Sequence, residues 1–249
     1  MNNEQKHSGF SLTEVLIAVG ILSVGMTFVA GVFPAGIYLM TIATERTIAA
    51  VAADEAFAKI KIYGIDLSKL SDSKLGDFND VLPATINIDP NEFTYPSTNT
   101  AAEKQYCWSA LCRLTEAYNP VTDPNPPVQV TVFVCRKVSP NLKYRTPNGS
   151  DDSAWPMPVK VGVNRFSDNE LQITGEKTYI NDGYTIVDDA TGRIYRVLER
   201  YKPPNDSIIL LDRNWDADSP NPDKVWVVPP PVNGGRYPCI AVYQKVIRF

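Results

Sequence analysis

The pattern of hydrophobic and polar positions divides the chain into an apolar N-terminal segment and a mixed remainder. No charged residue occurs between Glu14 and Glu45. About 20 apolar residues are enough for a helix to cross a bilayer, and residues 15–33 reach that length by themselves. The pattern therefore predicts a transmembrane segment at about residues 15–36.

Beyond this segment, apolar residues recur at intervals of three, four and seven, which places them in one stripe along a helix. Gly64 then supplies a stop. We expect one helix over residues 10–64, with its first half in a membrane and its second half carrying a globular head. The stripe consists of Ile42, Ala49, Ala53, Ala56, Ile60 and Tyr63.

The rest of the chain is typical of short strands joined by turns. Residues 65–104 predict a loop-rich linker, and residues 105–249 predict a β-rich head in which 159–213 form a small β-subdomain. The expected fold is α+β, with a long N-terminal helix packed on an antiparallel, meander-like C-terminal head. The strand-like runs are 105–114, 128–138, 159–163, 170–174, 183–189, 193–201, 206–212, 224–229 and 240–249.

Composition narrows the function classes. The net charge is −4 and the sequence pI is about 5.1, which argues against a nucleic-acid partner because such surfaces cluster Lys and Arg. The chain holds 20 prolines, nearly all after residue 80, and this favours many turns over a helical bundle.

Glu14 separates three interpretations of the apolar segment. A secretory signal peptide has a core of about 7–15 apolar residues after a positive start, whereas this segment is longer and begins with an acid. A plain membrane anchor explains the length but not the acid, since carboxylates inside a membrane are costly. The third interpretation rests on a resemblance of this segment to a known protein family.

The sequence GFSLTE (9–14), followed by an uninterrupted apolar helix, resembles the N-terminal motif of type IV pilins and type II secretion pseudopilins, and within that family it looks most like the minor subunits. The resemblance implies that residues 1–9 are a leader, which prepilin peptidase removes between Gly9 and Phe10. It also implies that Phe10 is then N-methylated and that Glu14 assists assembly into a filament.

The resemblance implies a structural subunit of a type IV pilus or a type II secretion pseudopilus. Its location would be the bacterial inner membrane, with the head outside the cytoplasm, and a filament after assembly. Its partners would be prepilin peptidase/methyltransferase, other pilin or pseudopilin subunits and inner-membrane lipid. The alternative is a membrane-tethered extracytoplasmic binding or adhesion protein that enters no filament.

Cleavage would create a cationic amino group at Phe10, four residues before Glu14. On a helix this spacing places both on one face, so a neighbouring subunit could pair its own Glu14 with this amine. Two buried charges repay their desolvation only when they are paired. We therefore expect Glu14 to lack a partner in a single subunit and to gain one in a filament.

An enzyme is not expected. His7 is the one histidine in the sequence and would leave with the leader, which removes Ser-His-Asp and Cys-His sites and the commonest general base. No glycine-rich phosphate loop follows a strand-like run. A signal-anchored carbohydrate-active enzyme is the least favoured alternative, and no cofactor is expected apart from a candidate calcium ion.

The four cysteines are Cys107, Cys112, Cys135 and Cys239. In an oxidising compartment they permit two disulfides, and three pairings are open. Cys107 and Cys112 are five residues apart, so within one strand they face opposite sides and cannot bridge each other. Zinc is disfavoured because the spacing fits no zinc finger and the processed chain would offer no histidine as a ligand.

One acidic stretch has the spacing of a calcium-binding loop. Asp212, Asn214 and Asp216 match the first three ligand positions, and Asp223 occupies the twelfth. The sixth position is Ala217 instead of Gly, and the twelfth is Asp instead of Glu. Because Asp, Asn and Pro are also ordinary turn residues, a solvated loop is the competing interpretation.

Overall fold

The computed structural model describes residues 10–97, 104–117, 123–215 and 223–249. The predicted leader (1–9) and part of the predicted linker (98–103) lie outside the described residues. The chain divides into a first unit that ends at Thr47 and a second unit, Ile48–Phe249.

The predicted long helix is confirmed. Helix α1 runs over Leu12–Tyr63 without a break. Gly64 follows it with φ of +74°, and its N–H donates to the Ile60 carbonyl at 3.0 Å. A left-handed residue at this position satisfies an orphan carbonyl of the last turn, and glycine adopts that conformation at the least cost.

The β-rich remainder is also confirmed. All strand pairs are antiparallel, so the described chain has the expected α+β fold. Short 3₁₀ helices occupy Leu67–Lys69, Pro90–Phe93 and Lys177–Tyr179. The strands are β1 (Gly76–Asp77), β2 (Thr94–Tyr95), β3 (Tyr106–Leu114), β4 (Pro127–Arg136), β5 (Val159–Arg165), β6 (Glu170–Ile173), β7 (Thr185–Asp188), β8 (Ile194–Arg200), β9 (Ile208–Leu211), β10 (Asp223–Val227) and β11 (Cys239–Arg248).

The first sheet has the order β1-β3-β4-β11, and β2 pairs with β3 as well. Strands β1 and β2 come from the segment predicted as a linker. Leu75, Phe78 and Val81 of that segment are buried. Part of the predicted linker thus belongs to the core. Its apolar residues stand singly between polar ones, so the sequence shows no periodic pattern there, although these residues pack at the edge of the sheet.

The second half of α1 covers one face of this sheet. Ala49, Ala52, Ala53 and Ala56 are buried there, and their small side chains let the helix lie close to the strands. Phe57 and Ile60 extend the contact. The facing residues are Trp108, Ala110, Cys112, Leu114, Val128, Val130, Val132 and Val134.

The other face of the sheet carries a closed barrel of six strands, in the order β10-β5-β6-β9-β8-β7. Phe133 and Leu111 pack there against Val187, Trp226 and Val228. Strand β4 is therefore buried on both faces, which accounts for its nearly continuous apolar sequence VTVFVC.

The predicted subdomain at 159–213 corresponds to most of this barrel, but the barrel extends to Val227. Strand β10 inserts between β5 and β7 and closes it. The expectation of a simple meander is wrong here, since β6 pairs with β9 instead of β7. Hydrophobic periodicity marks where strands are, whereas long-range pairing decides which of them are neighbours.

The turn between β7 and β8 fixes the barrel to the sheet. Arg113 donates to the Ala190 carbonyl. The Gln129 and Gln244 side chains both donate to the Gly192 carbonyl, at 3.3 and 2.8 Å. Gly192 has φ of +71°, and a Cβ there would lie 2.5 Å from the Gln129 amide nitrogen, so a larger residue would be strained and would displace the Gln129 side chain from this turn.

We predict that Ala56→Leu destabilises the fold by about 1–3 kcal/mol, because Ala56 is 0% exposed between helix and sheet and extra methylenes would force the layers apart. Urea unfolding of the full chain in detergent measures the change. Ala58→Leu is the matched control, since Ala58 lies on the exposed side of the same helix and should stay within about 0.5 kcal/mol of wild type. Equal effects of the two substitutions would contradict the packing described.

Candidate assembly site at the start of the helix

Helix α1 opens with a reciprocal cap between Ser11 and Glu14. The Glu14 N–H donates to Ser11 Oγ at 3.2 Å. In return, Glu14 Oε2 accepts from the Ser11 N–H at 2.9 Å and from Ser11 Oγ at 3.1 Å. This is a capping box, in which a serine and a glutamate three residues later satisfy the free donors of the first turn.

The cap corrects one expectation. Glu14 does not lack a partner in a single subunit, because Ser11 supplies two hydrogen bonds to its carboxylate. The expectation that Phe10 and Glu14 lie on one face is confirmed, since Phe10, one residue before the capping serine, lines the same side of the segment as Glu14, Ala18 and Leu22. The sequence carries the signal for this cap in the spacing Ser-x-x-Glu at 11–14, which the membrane argument left unused.

Removal of residues 1–9 would leave this cap in place, because all of its atoms belong to Ser11 and Glu14. It would also place a cationic amine next to the positive end of the helix dipole, which is unfavourable. The Glu14 carboxylate in the first turn offsets this charge. The same carboxylate thus stabilises the helix start in a single chain.

The helix that follows is apolar on all sides. Every side chain from Phe10 to Thr41 is exposed, and Phe10 itself is 88% exposed. By length and composition, α1 is able to cross a membrane. Soluble proteins rarely leave an apolar surface of this size in water, so this part of the helix requires lipid or protein around it.

The family model of the prokaryotic N-terminal methylation motif matches residues 5–30. This chain carries that methylation motif. The motif is characteristic of type IV pilins and pseudopilins, which are structural and not enzymatic proteins. It spans Phe10 and Glu14, and it supports processing and assembly of the pilin type. No curated protein and no solved structure matches the chain.

Gly9, on the leader side of the predicted cleavage point, lies outside the described residues. The motif and the exposed apolar helix agree with anchoring in the inner membrane. Prepilin peptidase and other pilin subunits are the partners that the motif implies.

The four candidate calcium ligands stay a prediction. Asp216 lies outside the described residues. Asp212 accepts from the Arg196 N–H at 2.9 Å and lies 3.3 Å from the Arg213 guanidinium, and Asp223 accepts from the Lys224 N–H at 2.7 Å. Within residues 10–97, 104–117, 123–215 and 223–249, no group of three or more His, Cys, Asp or Glu side chains is arranged to hold a metal ion.

The cysteines divide between the two faces of the first sheet. Cys112 lies in the core under the helix, and Cys107 lies in the core under the barrel, as their spacing predicts. Cys135 and Cys239 join Cys107. All four carry free thiols in the structure. The arrangement has room for one disulfide among three cysteines, where the sequence alone permits two, and disulfide formation stays a prediction.

We predict that Ser11→Ala weakens the first turn of α1 by about 1 kcal/mol, because it removes the hydroxyl that accepts from the Glu14 N–H and donates to the Glu14 carboxylate, and leaves the bond from the Ser11 N–H. Hydrogen exchange of the Glu14 amide, measured on the full chain in detergent, should accelerate about fivefold. Ser23→Ala is the matched control, since the Ser23 hydroxyl donates to the Val19 carbonyl within the helix and caps nothing. An unchanged Glu14 exchange rate in the Ser11 variant would refute the cap.

Proposed function

We propose that this protein is a structural subunit of a type IV pilus or a type II secretion pseudopilus. Prepilin peptidase cuts it between Gly9 and Phe10, Phe10 is N-methylated, and the apolar helix holds the subunit in the inner membrane before it enters a filament. The head lies outside the cytoplasm. One observation carries the proposal: the methylation motif at 5–30 leads directly into a helix whose apolar side chains have no cover in the single chain.

The length of the apolar helix favours a filament over a simple tether. The uncharged stretch between Glu14 and Glu45 is about 45 Å long at about 1.5 Å per residue. A hydrocarbon core of about 30 Å covers the predicted transmembrane segment, residues 15–36, and leaves the uncharged residues 37–44 beyond it. Neighbouring helices in a filament would cover the surplus, whereas a lone anchor would leave it in water.

Charge at the helix start favours the same conclusion. The amine created at Phe10 lies next to a helix N-terminus, where positive charge is disfavoured. In a filament core of low dielectric, this amine needs a carboxylate beside it. Glu14 of a neighbouring subunit supplies one when the two helices are offset along their axes, and it exchanges its hydrogen bonds to Ser11 for a charged partner.

The runner-up is a membrane-tethered extracytoplasmic binding or adhesion protein. It uses the same anchor, but it assigns no role to the Glu14 charge. A catalytic role for the head has less support, because the processed chain would contain no histidine. Of the three tryptophans whose side chains could line a binding surface, Trp215 and Trp226 are buried and Trp155 is partly exposed.

Mass spectrometry of the protein isolated from its own cells tests the processing step. We expect a chain that begins at Phe10 and carries one additional methyl group on its N-terminus. Gly9→Val is the control that should keep residues 1–9, because the resemblance places the cut after a glycine. A wild-type chain that retains Met1, or that begins elsewhere, would refute the processing and with it the proposed function.

Substitutions at the helix start test the assembly step. Glu14→Ala and Glu14→Gln should each lower the filament-bound fraction by more than about a hundredfold, because removal of one partner from a buried charge pair costs about 3–5 kcal/mol. Both variants should remain in the membrane. Ser11→Ala should lower incorporation by about fivefold at most, since it removes the hydroxyl bonds of the cap and keeps the Glu14 charge.

The three variants separate the charge from the cap. Wild-type incorporation of Glu14→Gln would contradict the intersubunit pair and favour the tethered alternative. Equal losses in Ser11→Ala and Glu14→Ala would instead assign the role of Glu14 to the helix cap.

A further inference from the structure

Three buried cysteines lie side by side on neighbouring strands. In the register of the first sheet, Cys135 of β4 is opposite Cys107 of β3 on one side and opposite Cys239 of β11 on the other. All three side chains are buried in the same hydrophobic cluster. Since Cys135 lies between the other two, it is the common partner in any disulfide that this cluster forms.

The backbone hydrogen bonds distinguish the two pairs. The Arg136 N–H donates to the Pro238 carbonyl at 2.8 Å, directly before Cys239 and directly after Cys135. The Lys137 N–H donates to the Gln105 carbonyl at 2.7 Å on the other side. Hydrogen-bonded and non-hydrogen-bonded pairs alternate along an antiparallel ladder. Cys135 and Cys239 are therefore a non-hydrogen-bonded pair, and Cys107 and Cys135 are a hydrogen-bonded one.

This difference selects one pair for a disulfide. Opposite residues in a non-hydrogen-bonded pair have Cα atoms about 4.5 Å apart, against about 5.5 Å in a hydrogen-bonded pair, and their side chains are closer. A disulfide requires Cβ atoms about 3.5–4.5 Å apart. By register, Cys135 and Cys239 form the closer-set type of pair, next to a bulge between Cys239 and Ala241, and Cys107 and Cys135 form the wider type. Both outer thiols also donate to backbone carbonyls, Cys107 to Pro156 at 3.8 Å and Cys239 to Ala241 at 3.7 Å, so the ladder position is what distinguishes the two pairs.

The same pair occupies a special place in the chain. Cys135 stands at the end of β4, just before the chain leaves the sheet to form the barrel. Cys239 is the first residue of β11, where the chain returns. A bond between them would close a loop of about 100 residues that contains the whole barrel, and it would join the two strands at the neck of that insertion.

We propose that Cys135 and Cys239 form the head's one disulfide, which clamps the neck of the barrel, while Cys107 and Cys112 remain thiols. In cells, formation of this disulfide rests on the proposed function, because the bond requires the head to lie in an oxidising compartment. The oxidant is the disulfide of an extracytoplasmic thiol oxidase. Its two sulfurs accept two electrons and two protons from the pair of thiols and leave as a dithiol, while the Cys135–Cys239 bond forms.

The order of events follows from burial. Burial raises the pKa of the Cys135 thiol, and the two neighbouring thiols raise it further. Only the thiolate attacks a disulfide, so the folded cluster reacts slowly. The bond is therefore made while the barrel is still folding and is then protected by the packed core.

Peptide mapping tests the pairing in two settings. The reduced full chain is unfolded, refolded in detergent with a glutathione redox buffer, and its free thiols are blocked before proteolysis. We expect one linked peptide pair, Cys135 with Cys239, and blocked Cys107 and Cys112. A Cys107–Cys135 linkage, or four blocked cysteines after refolding, would overturn the proposal.

Cysteine variants sharpen the result. Cys239→Ser should abolish the disulfide although Cys107 and Cys135 both remain, and Cys135→Ser should abolish it as well. Cys107→Ser and Cys112→Ser should keep it, and reduction should lower their urea midpoint as it does for wild type. A disulfide that persists in Cys239→Ser would contradict the selection of the non-hydrogen-bonded pair.

The protein isolated from cells provides the second setting. A Cys135–Cys239 linkage there supports both the pairing and the extracytoplasmic head. If the linkage forms in the glutathione buffer and all four thiols are reduced in cells, the pairing stands, and it is the extracytoplasmic location that fails.

Discussion

The two halves of helix α1 have different surface patterns, and each pattern requires a different partner around the helix. The first half of α1 is apolar around its whole circumference and is exposed in the single chain. Its second half has one buried stripe, made chiefly of alanines, against a sheet. The first pattern requires a surrounding of lipid or other helices, because water does not solvate it. The second requires a single flat partner, which the head supplies.

The head supplies this flat partner as the middle one of three layers, which are the helix, the first sheet and the barrel. Its central strands are covered by the helix on one face and by the barrel on the other, so β4 is apolar on both sides. The barrel is inserted between β4 and β11, and polar side chains of the sheet hold its β7–β8 turn. The barrel begins after β4 and ends before β11, and these two strands are paired neighbours in the sheet. Their paired ends form the neck of the insertion. The three-thiol cluster lies at that position.

The Glu14 carboxylate caps the helix in the single chain and, under the proposed function, also pairs with a neighbouring subunit. In the single chain it completes a capping box with Ser11 and lies in the first turn, where a negative charge interacts favourably with the helix dipole. The proposed cleavage at Phe10 adds a positive charge within reach of the same group on a neighbour. Under the proposed function, this carboxylate would exchange its hydrogen bonds to serine for an ion pair on assembly, so the subunit would be stable before assembly as well.

The sequence by itself determined the elements that depend on local pattern. The uncharged run after Glu14 identified the long helix, the glycine at 64 marked its end, and GFSLTE at 9–14 pointed to the methylation motif that the comparison found at 5–30. The cap at Ser11 was also readable from its spacing. Only the tertiary structure decided that β10 closes a barrel, that the predicted linker completes a sheet edge, and that Cys135 is opposite Cys239. Those features depend on pairing between strands far apart in the chain, and hydrophobic periodicity records the faces of a strand but not its neighbour.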